Sequence, residues 1–396
     1  MYNVHDRIVY CCYSMMLESD LLILASQHVV ERKSEMKKAA VAAALIFTAV
    51  GSFVMYENRM TPRPVAAEEQ EETSDETAGE NSLVPQIDTT ADVMSGARIA
   101  VVSKCASGQY WDLLRTGMED AVRDVNEAYG FQKDEQITMT FEGPDDEKDV
   151  ETQINTLDAV IAENPTVVCL SAGDMESCQA QLEAARENGI PVIVFDSNVS
   201  ETELITGYCG TDNVEVGIIA AQKMVQALGE KGQIAVFSAQ EKTQSARERT
   251  DSFLEVIAGY ENMSVASVLY DDQVENMESA MQDALKCHPD IAGVFCSNAV
   301  VADLYLNMEK EEDAAQPLMV GVDATTRQQE AIKNGGEVGT VSQNPYAMGY
   351  RTMWMALQVS SETGQGGEKI SDYLPPEWID AQNLEDPAYA GYIYGK

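Results

Sequence analysis

From residue 98 onward, short apolar runs alternate with longer stretches of helical periodicity. The apolar runs predict strands at 99–103, 137–141, 166–170, 191–195, 205–209, 234–237, 264–269, 291–296, 318–322 and 339–341. Most are apolar almost throughout, the pattern of parallel strands covered on both faces. Between them, one stretch places Trp111, Leu114, Met118, Val122, Val125 and Tyr129 on a single helix face. A second does so with Val150, Ile154, Leu157 and Ile161, and a third with Val274, Met277, Met281 and Leu285. The methionine stripe reads as core packing rather than a cofactor box. Strict β-α alternation calls for an α/β class with parallel sheets and right-handed crossovers. Ten strands exceed one comfortable sheet, so the expectation is two Rossmann-like lobes.

Charge and motif content remove several functions that such a fold otherwise allows. The chain has 66 acidic against 26 Lys and Arg residues, a net charge of −40. A general affinity for nucleic acid needs a basic face and is excluded. No G-x-G-x-x-G, P-loop lysine or G-x-S-x-G elbow stands at a strand–helix junction. Dinucleotide, nucleoside triphosphate and hydrolase readings therefore fall away. The eight cysteines form no C-x-x-C pair and there are three histidines, so neither a zinc site nor another cofactor is expected. Most cysteines lie in or beside apolar strands and read as small buried hydrophobes, with no obligatory disulfide.

The first ninety-five residues have a different character. Residues 1–35 match nothing downstream and are expected to be a non-native extension, with Met36 as the initiator. Met36, Lys37 and Lys38 then open a region, 36–60, that reads as a signal or transmembrane anchor. Its core, 39–56, carries no charge over 18 residues, which is just long enough to span a bilayer. The lysines before it place the following chain outside, either anchored at the outer face of the cytoplasmic membrane or secreted after cleavage. Residues 61–95, with Pro62, Pro64, Pro85 and an acidic run from Glu68 to Glu80, read as a disordered linker.

Polar or aromatic groups follow nearly every predicted strand. They include Tyr110 and Trp111, Ser171, Asp196, Arg247 in the strand–loop–helix 233–253, Asp271 and Asp272, Asn298, Asp323 and Gln343. In open α/β sheets ligands bind at the carboxyl ends of strands. A single Asp after a strand is an ordinary helix cap; convergent polar groups beside an aromatic wall describe a small-ligand pocket.

The stretches VVSKCASGQYWDLLRTG, GIPVIVFDS, CGTDNVEVGIIAA, TQSARERTDSF, CHPDIAGVFCSNAVVADLYL, LMVGVDA and GTVSQNPYAMG carry a resemblance. Over about residues 97–370 the chain resembles the ribose/galactose-type periplasmic binding proteins, type I solute-binding proteins of ABC importers. The resemblance implies two lobes joined by three crossing segments, near 209–213, near 342–345 and at about Ser371. The corresponding division gives one lobe 96–210 with 344–370 and a second 211–343 with 371–396. It also implies that Tyr110 and Trp111 flank a sugar ring. Asp196, Arg247, Asn298, Asp323 and Gln343 would supply the hydrogen bonds. Ser171 and Asp272 stand where the ribose-type protein has an amide and an aromatic, so the ligand need not be ribose.

The implied function is capture of a monosaccharide or polyol, not catalysis, and delivery to an ABC permease. An alternative output is a sensory input to a membrane kinase or chemoreceptor. A remote alternative is an extracellular glycosidase drawing on Asp196, Asp272 and Asp323.

Overall fold

The computed structural model describes residues 83–308, 316–361 and 369–395. All ten predicted strands form, and they divide between two sheets. The first holds β1 (Arg98–Val102), β2 (Thr138–Glu142), β3 (Val167–Leu170), β4 (Val192–Phe195) and β5 (Gly207–Thr211). The second holds β6 (Gly232–Ser238), β7 (Met263–Tyr270), β8 (Ile291–Cys296), β9 (Leu318–Val322) and β10 (Gly339–Ser342). Two late strands, β11 (Ile370–Leu374) and β12 (Glu377–Ile379), complete the edges.

The orders are β11-β5-β4-β3-β1-β2 and β12-β10-β9-β8-β6-β7, the same arrangement twice. Every pairing is parallel except that of β12 with β10. β11 and β12 carry only weak apolar patterns, Ile-Ser-Asp-Tyr-Leu and Glu-Trp-Ile. β11 is exposed over most of its length and β12 has three residues, so burial imposes no apolar run on either.

Helices cover both faces of each sheet. In the first lobe α1 (Gln109–Tyr129) and α9 (Pro345–Gln358) pack on one face, and α2 (Val150–Ala162) and α3 (Gln179–Glu187) on the other. In the second lobe α4 (Asn213–Leu228) and α5 (Gln244–Ala258) share a core. α6 (Met277–Cys287) and α7 (Ala299–Asn307) build the opposite core with Met277 and Met281, the stripe read as packing. The short α8 (Thr326–Asn334) follows β9. Central strands β3 and β4 are buried along their whole length, which accounts for their unbroken apolar sequences.

The chain passes from the first sheet to the second after β5, returns after β10 at Gln343 and Asn344, and crosses once more between β11 and β12. The third passage comes later than the expected position near Ser371. That residue pairs with Tyr208 inside β11, and the passage falls at Pro375 and Pro376. Proline has no N–H to extend a ladder, so the two prolines end the strand.

The expected disordered linker, 61–95, requires correction over its last part. Val93 is buried, and Leu83, Val84, Ile87 and Ala91 pack against the first lobe's core. The Tyr129 hydroxyl donates to the carbonyls of Asp88 and Ala91, and the Arg351 guanidinium donates to that of Leu83. Five apolar side chains bury enough surface to order this stretch, which its acidic neighbours obscured. The expected extension 1–35, the anchor 36–60 and residues 61–82 lie outside the described residues. Among the described residues no helix is long and apolar enough to cross a membrane.

α1 and α9 cross closely because each offers a glycine to the other. A Cβ on Gly117 would stand 2.1 Å from the Tyr346 carbonyl oxygen, and one on Gly349 would stand 2.0 Å from that of Leu114. Neither clash can be relieved by a side-chain rotation, since both partners are backbone. Gly349→Ala is therefore expected to destabilise the protein by about 1–3 kcal/mol, read from the urea midpoint, despite alanine's better helix propensity.

Candidate functional site

The carboxyl ends of the two sheets face one another across a cleft of about 770 Å³ lined from both lobes. At its lips the lobes touch. Lys148 Nζ lies 3.1 Å from Asp271 Oδ2. The Gln109 amide exchanges two hydrogen bonds with Thr326, each 2.9 Å, and Met175 N–H donates to the Lys242 carbonyl at 3.0 Å.

Asp196, just past β4, and Asp323, just past β9, occupy equivalent places in the two lobes. Each donates its backbone N–H to the neighbouring strand at 3.0 Å, Asp196 to Cys209 and Asp323 to Val341. Each adopts a left-handed backbone conformation, with φ of 58° and 76°. Such a conformation costs a non-glycine residue about 1–3 kcal/mol and is concentrated where side chains must be aimed at ligands.

Asp196 accepts from the Tyr110 hydroxyl at 2.8 Å, from Lys104 Nζ at 2.8 Å and from Ser171 Oγ at 3.0 Å. Burial pushes its pKa up, but the Lys104 charge and hydrogen bond, joined by the Arg249 charge and the Tyr110 hydrogen bond, outweigh burial and hold it below the ordinary carboxylate value. Asp323 accepts from Gln343 Nε2 at 2.7 Å, from the Tyr394 hydroxyl at 3.0 Å and from the Ala299 backbone N–H at 2.8 Å. Burial drives the Tyr110 and Tyr394 phenols well above their ordinary pKa, with the adjacent Asp196 and Asp323 charges adding to it, so both stay protonated donors.

The aromatic wall is Tyr110 against Trp111, edge to face with centroids 5.1 Å apart. Lys104 Nζ sits 5.7 Å from the Trp111 ring centroid. The indole N–H donates to Glu147 Oε1 at 3.0 Å. Burial raises the Glu147 carboxyl above its ordinary value, and the Lys104 charge and the indole hydrogen bond offset this only in part.

Of the residues expected at the site, Tyr110, Trp111, Asp196, Asn298, Asp323 and Gln343 line the cleft. Asn298 also caps α7, accepting from the Val301 N–H at 3.1 Å. Ser171 is buried behind Asp196 and reaches the cleft only through it.

Two expectations are corrected. Arg247 is exposed and outside the cleft; the cleft arginine is Arg249, two residues on and buried. α5 buries Ala246, Arg249, Phe253 and Ile257, a face on which Arg247 does not lie. Arg249 Nε donates to Asn213 Oδ1 at 2.7 Å and Nη1 to the Ser297 carbonyl at 3.0 Å. Its spacing from Phe253 was legible in the sequence. Asp272 likewise faces away, accepting from the Glu241 and Lys242 backbone N–H groups of the neighbouring loop, while Asp271 lines the cleft. Of the three acids named for a glycosidase, Asp272 therefore lies outside the cleft, while Asp196 and Asp323 line it.

Lys104, Glu147 and Lys148 are further cleft residues not anticipated as site residues. Lys104 lay in the first strand-end segment, a usable signal; Glu147 sits in an acidic loop that resembles any solvated turn.

Residues 99–365 match the family model of the periplasmic binding protein domain. The chain belongs to this family. Membership makes it a binding protein rather than an enzyme and implies an extracytoplasmic location. The ribose import binding protein RbsB of Salmonella typhimurium is 26% identical over 209 residues, 53% of this chain and 69% of its own. The D-apiose import binding protein of Actinobacillus succinogenes is 24% identical over 262 residues, 64% of this chain and 82% of its own. Among solved structures, an ABC transporter solute binding protein from Agrobacterium vitis with bound D-fucose aligns with a TM-score of 0.68. It is 25% identical and covers 75% of this chain and 100% of its own.

The raised Glu147 carboxyl has a signed consequence. Between the ordinary glutamate pKa and its higher folded value, the folded state holds a proton that the unfolded state has released. Stability therefore falls as pH rises through that window. Glu147→Gln lacks this loss, so denaturant midpoints at pH 4 and pH 7.5 should show the variant gaining on the wild type with rising pH.

Proposed function

We propose that this protein captures a monosaccharide or polyol between its two lobes and delivers it to an ABC importer. The observation that carries the reading is the pair of equivalent aspartates, Asp196 and Asp323, which face one cleft beside an aromatic wall and Arg249. A carboxylate offers roughly four acceptor positions. Asp196 and Asp323 each use three within the protein, leaving one apiece for a ligand hydroxyl. Arg249 and Lys104 supply complementary donors, and Tyr110 and Trp111 suit the C–H face of a ring. Asn298 and Gln343 extend the polar lining.

Relatives named for ribose and apiose import, and a similar structure with bound D-fucose, support a sugar-sized ligand. Capture would proceed by hinge closure about the three crossing segments. The uncharged stretch 39–56 would tether the receptor at the outer face of the membrane.

Isothermal titration with D-ribose, D-allose, D-fucose, D-arabinose, xylitol and myo-inositol tests the reading. At least one should bind, and Arg249→Met should weaken it by about 2–5 kcal/mol, the cost of losing a buried charged partner. Arg247→Met should bind as the wild type does. No heat from any of the six, or full affinity in Arg249→Met, would overturn the assignment.

A further inference from the structure

The segment 380–395 follows β12 and lies beyond the family match, which ends at residue 365. It is nonetheless bound tightly to the second lobe beside the cleft. Tyr394 N–H donates to the Ala324 carbonyl at 3.1 Å, and Gln329 Nε2 donates to the Tyr394 carbonyl at 2.7 Å. Ser342 Oγ donates to the Tyr392 carbonyl at 2.6 Å. These contacts thread the fully buried Tyr394 side chain behind the site. Its ring stands edge-on to Tyr110, centroids 6.1 Å apart, and its hydroxyl reaches Asp323 Oδ1.

We propose that Tyr394 is a specificity-determining residue of the sugar site: by occupying Asp323 Oδ1 together with Gln343, it limits that carboxylate to a single ligand hydroxyl, taken at Oδ2. The inference rests on the reading of the cleft as a sugar or polyol site. Oδ1 has two acceptor positions, and Gln343 Nε2 and the Tyr394 hydroxyl fill both. Oδ2 already accepts the Ala299 N–H, which leaves one position.

A ligand that presents two hydroxyls toward Asp323 then leaves one without an acceptor in a closed cleft, and is rejected. A ligand that presents one is satisfied. Specificity of this kind arises because an unpaired polar group in a desolvated site is costly. Tyr394 acts on the ligand through Asp323 and is a positioning residue.

Affinities for D-ribose, D-allose, D-fucose, D-arabinose, xylitol and myo-inositol are to be measured in the wild type, in Tyr394→Phe and in Tyr392→Phe. Tyr394→Phe keeps the ring and removes the hydroxyl, which also makes a longer hydrogen bond to the Gln343 carbonyl at 3.4 Å. Tyr392 is in the same segment, but its hydroxyl donates to the Pro375 carbonyl at 3.2 Å, away from Asp323, and so controls for general loosening.

The ratio between the best and second-best ligand should narrow or invert by on the order of tenfold in Tyr394→Phe, the scale of one hydrogen bond to a charged group. It should stay put in Tyr392→Phe. A purely structural role would lower all affinities together and leave the ranking unchanged, and that result overturns the inference while the sugar reading survives. An equal change of ranking in Tyr392→Phe overturns it as well. Absence of binding in the wild type overturns the sugar reading, and this inference with it.

Discussion

A carboxylate drawn out of water must be given replacement donors, and the cleft is arranged around two such groups. Asp196 and Asp323 are both nearly fully buried. Each is approached by three protein donors, only one of which, Lys104, carries a charge. That arrangement stabilises the ionised carboxylate at Asp196 without exhausting its acceptor capacity. Removing donors would leave buried charge uncompensated, and adding more would leave nothing for a guest. The left-handed backbone at both residues is the local cost of aiming the side chains into the gap.

The two aspartates are equivalent because the two sheets are. The strand order runs identically in both lobes, and the fourth strand of each ends at the same height beside the fifth. Repetition places two similar polar ends opposite one another, and three connections between the sheets keep them in register. The lobes also diverge where the site needs asymmetry. The first supplies the aromatic pair and Lys104, whereas the second supplies Arg249. The cleft is thus faced by aromatic rings from one side and a forked cation from the other. Contacts at the lips, notably Lys148 with Asp271, join the lobes outside the aspartate pair.

Much of this was legible before any coordinates. Each predicted strand formed, the methionine stripe packed into a core, and six expected residues line the cleft. Errors clustered where a one- or two-residue choice decides direction. The run Ser-Ala-Arg-Glu-Arg offers two arginines, and only the phase set by Phe253 and Ile257 turns Arg249 inward. Adjacent Asp271 and Asp272 are the central residues of the turn that follows β7, closed by the Gln273 N–H on the Tyr270 carbonyl, and that turn sends one side chain to the cleft and the other to the neighbouring loop. The acidic stretch before β1 hid a short apolar anchor, Leu83 to Val93, because local charge masked five side chains that only a neighbouring core could bury.

Period and punctuation are local properties, so the sequence by itself determined the α/β alternation, the need for two sheets and the polar character of the strand ends. Which side chains meet is a matter of long-range packing. The tertiary structure alone decided that Tyr394 stands behind Asp323, 71 residues earlier, and that Glu147 lies under Trp111. Neither position carries a local signal, because each side chain's environment is supplied by segments distant in the chain and becomes defined only when the lobes are assembled.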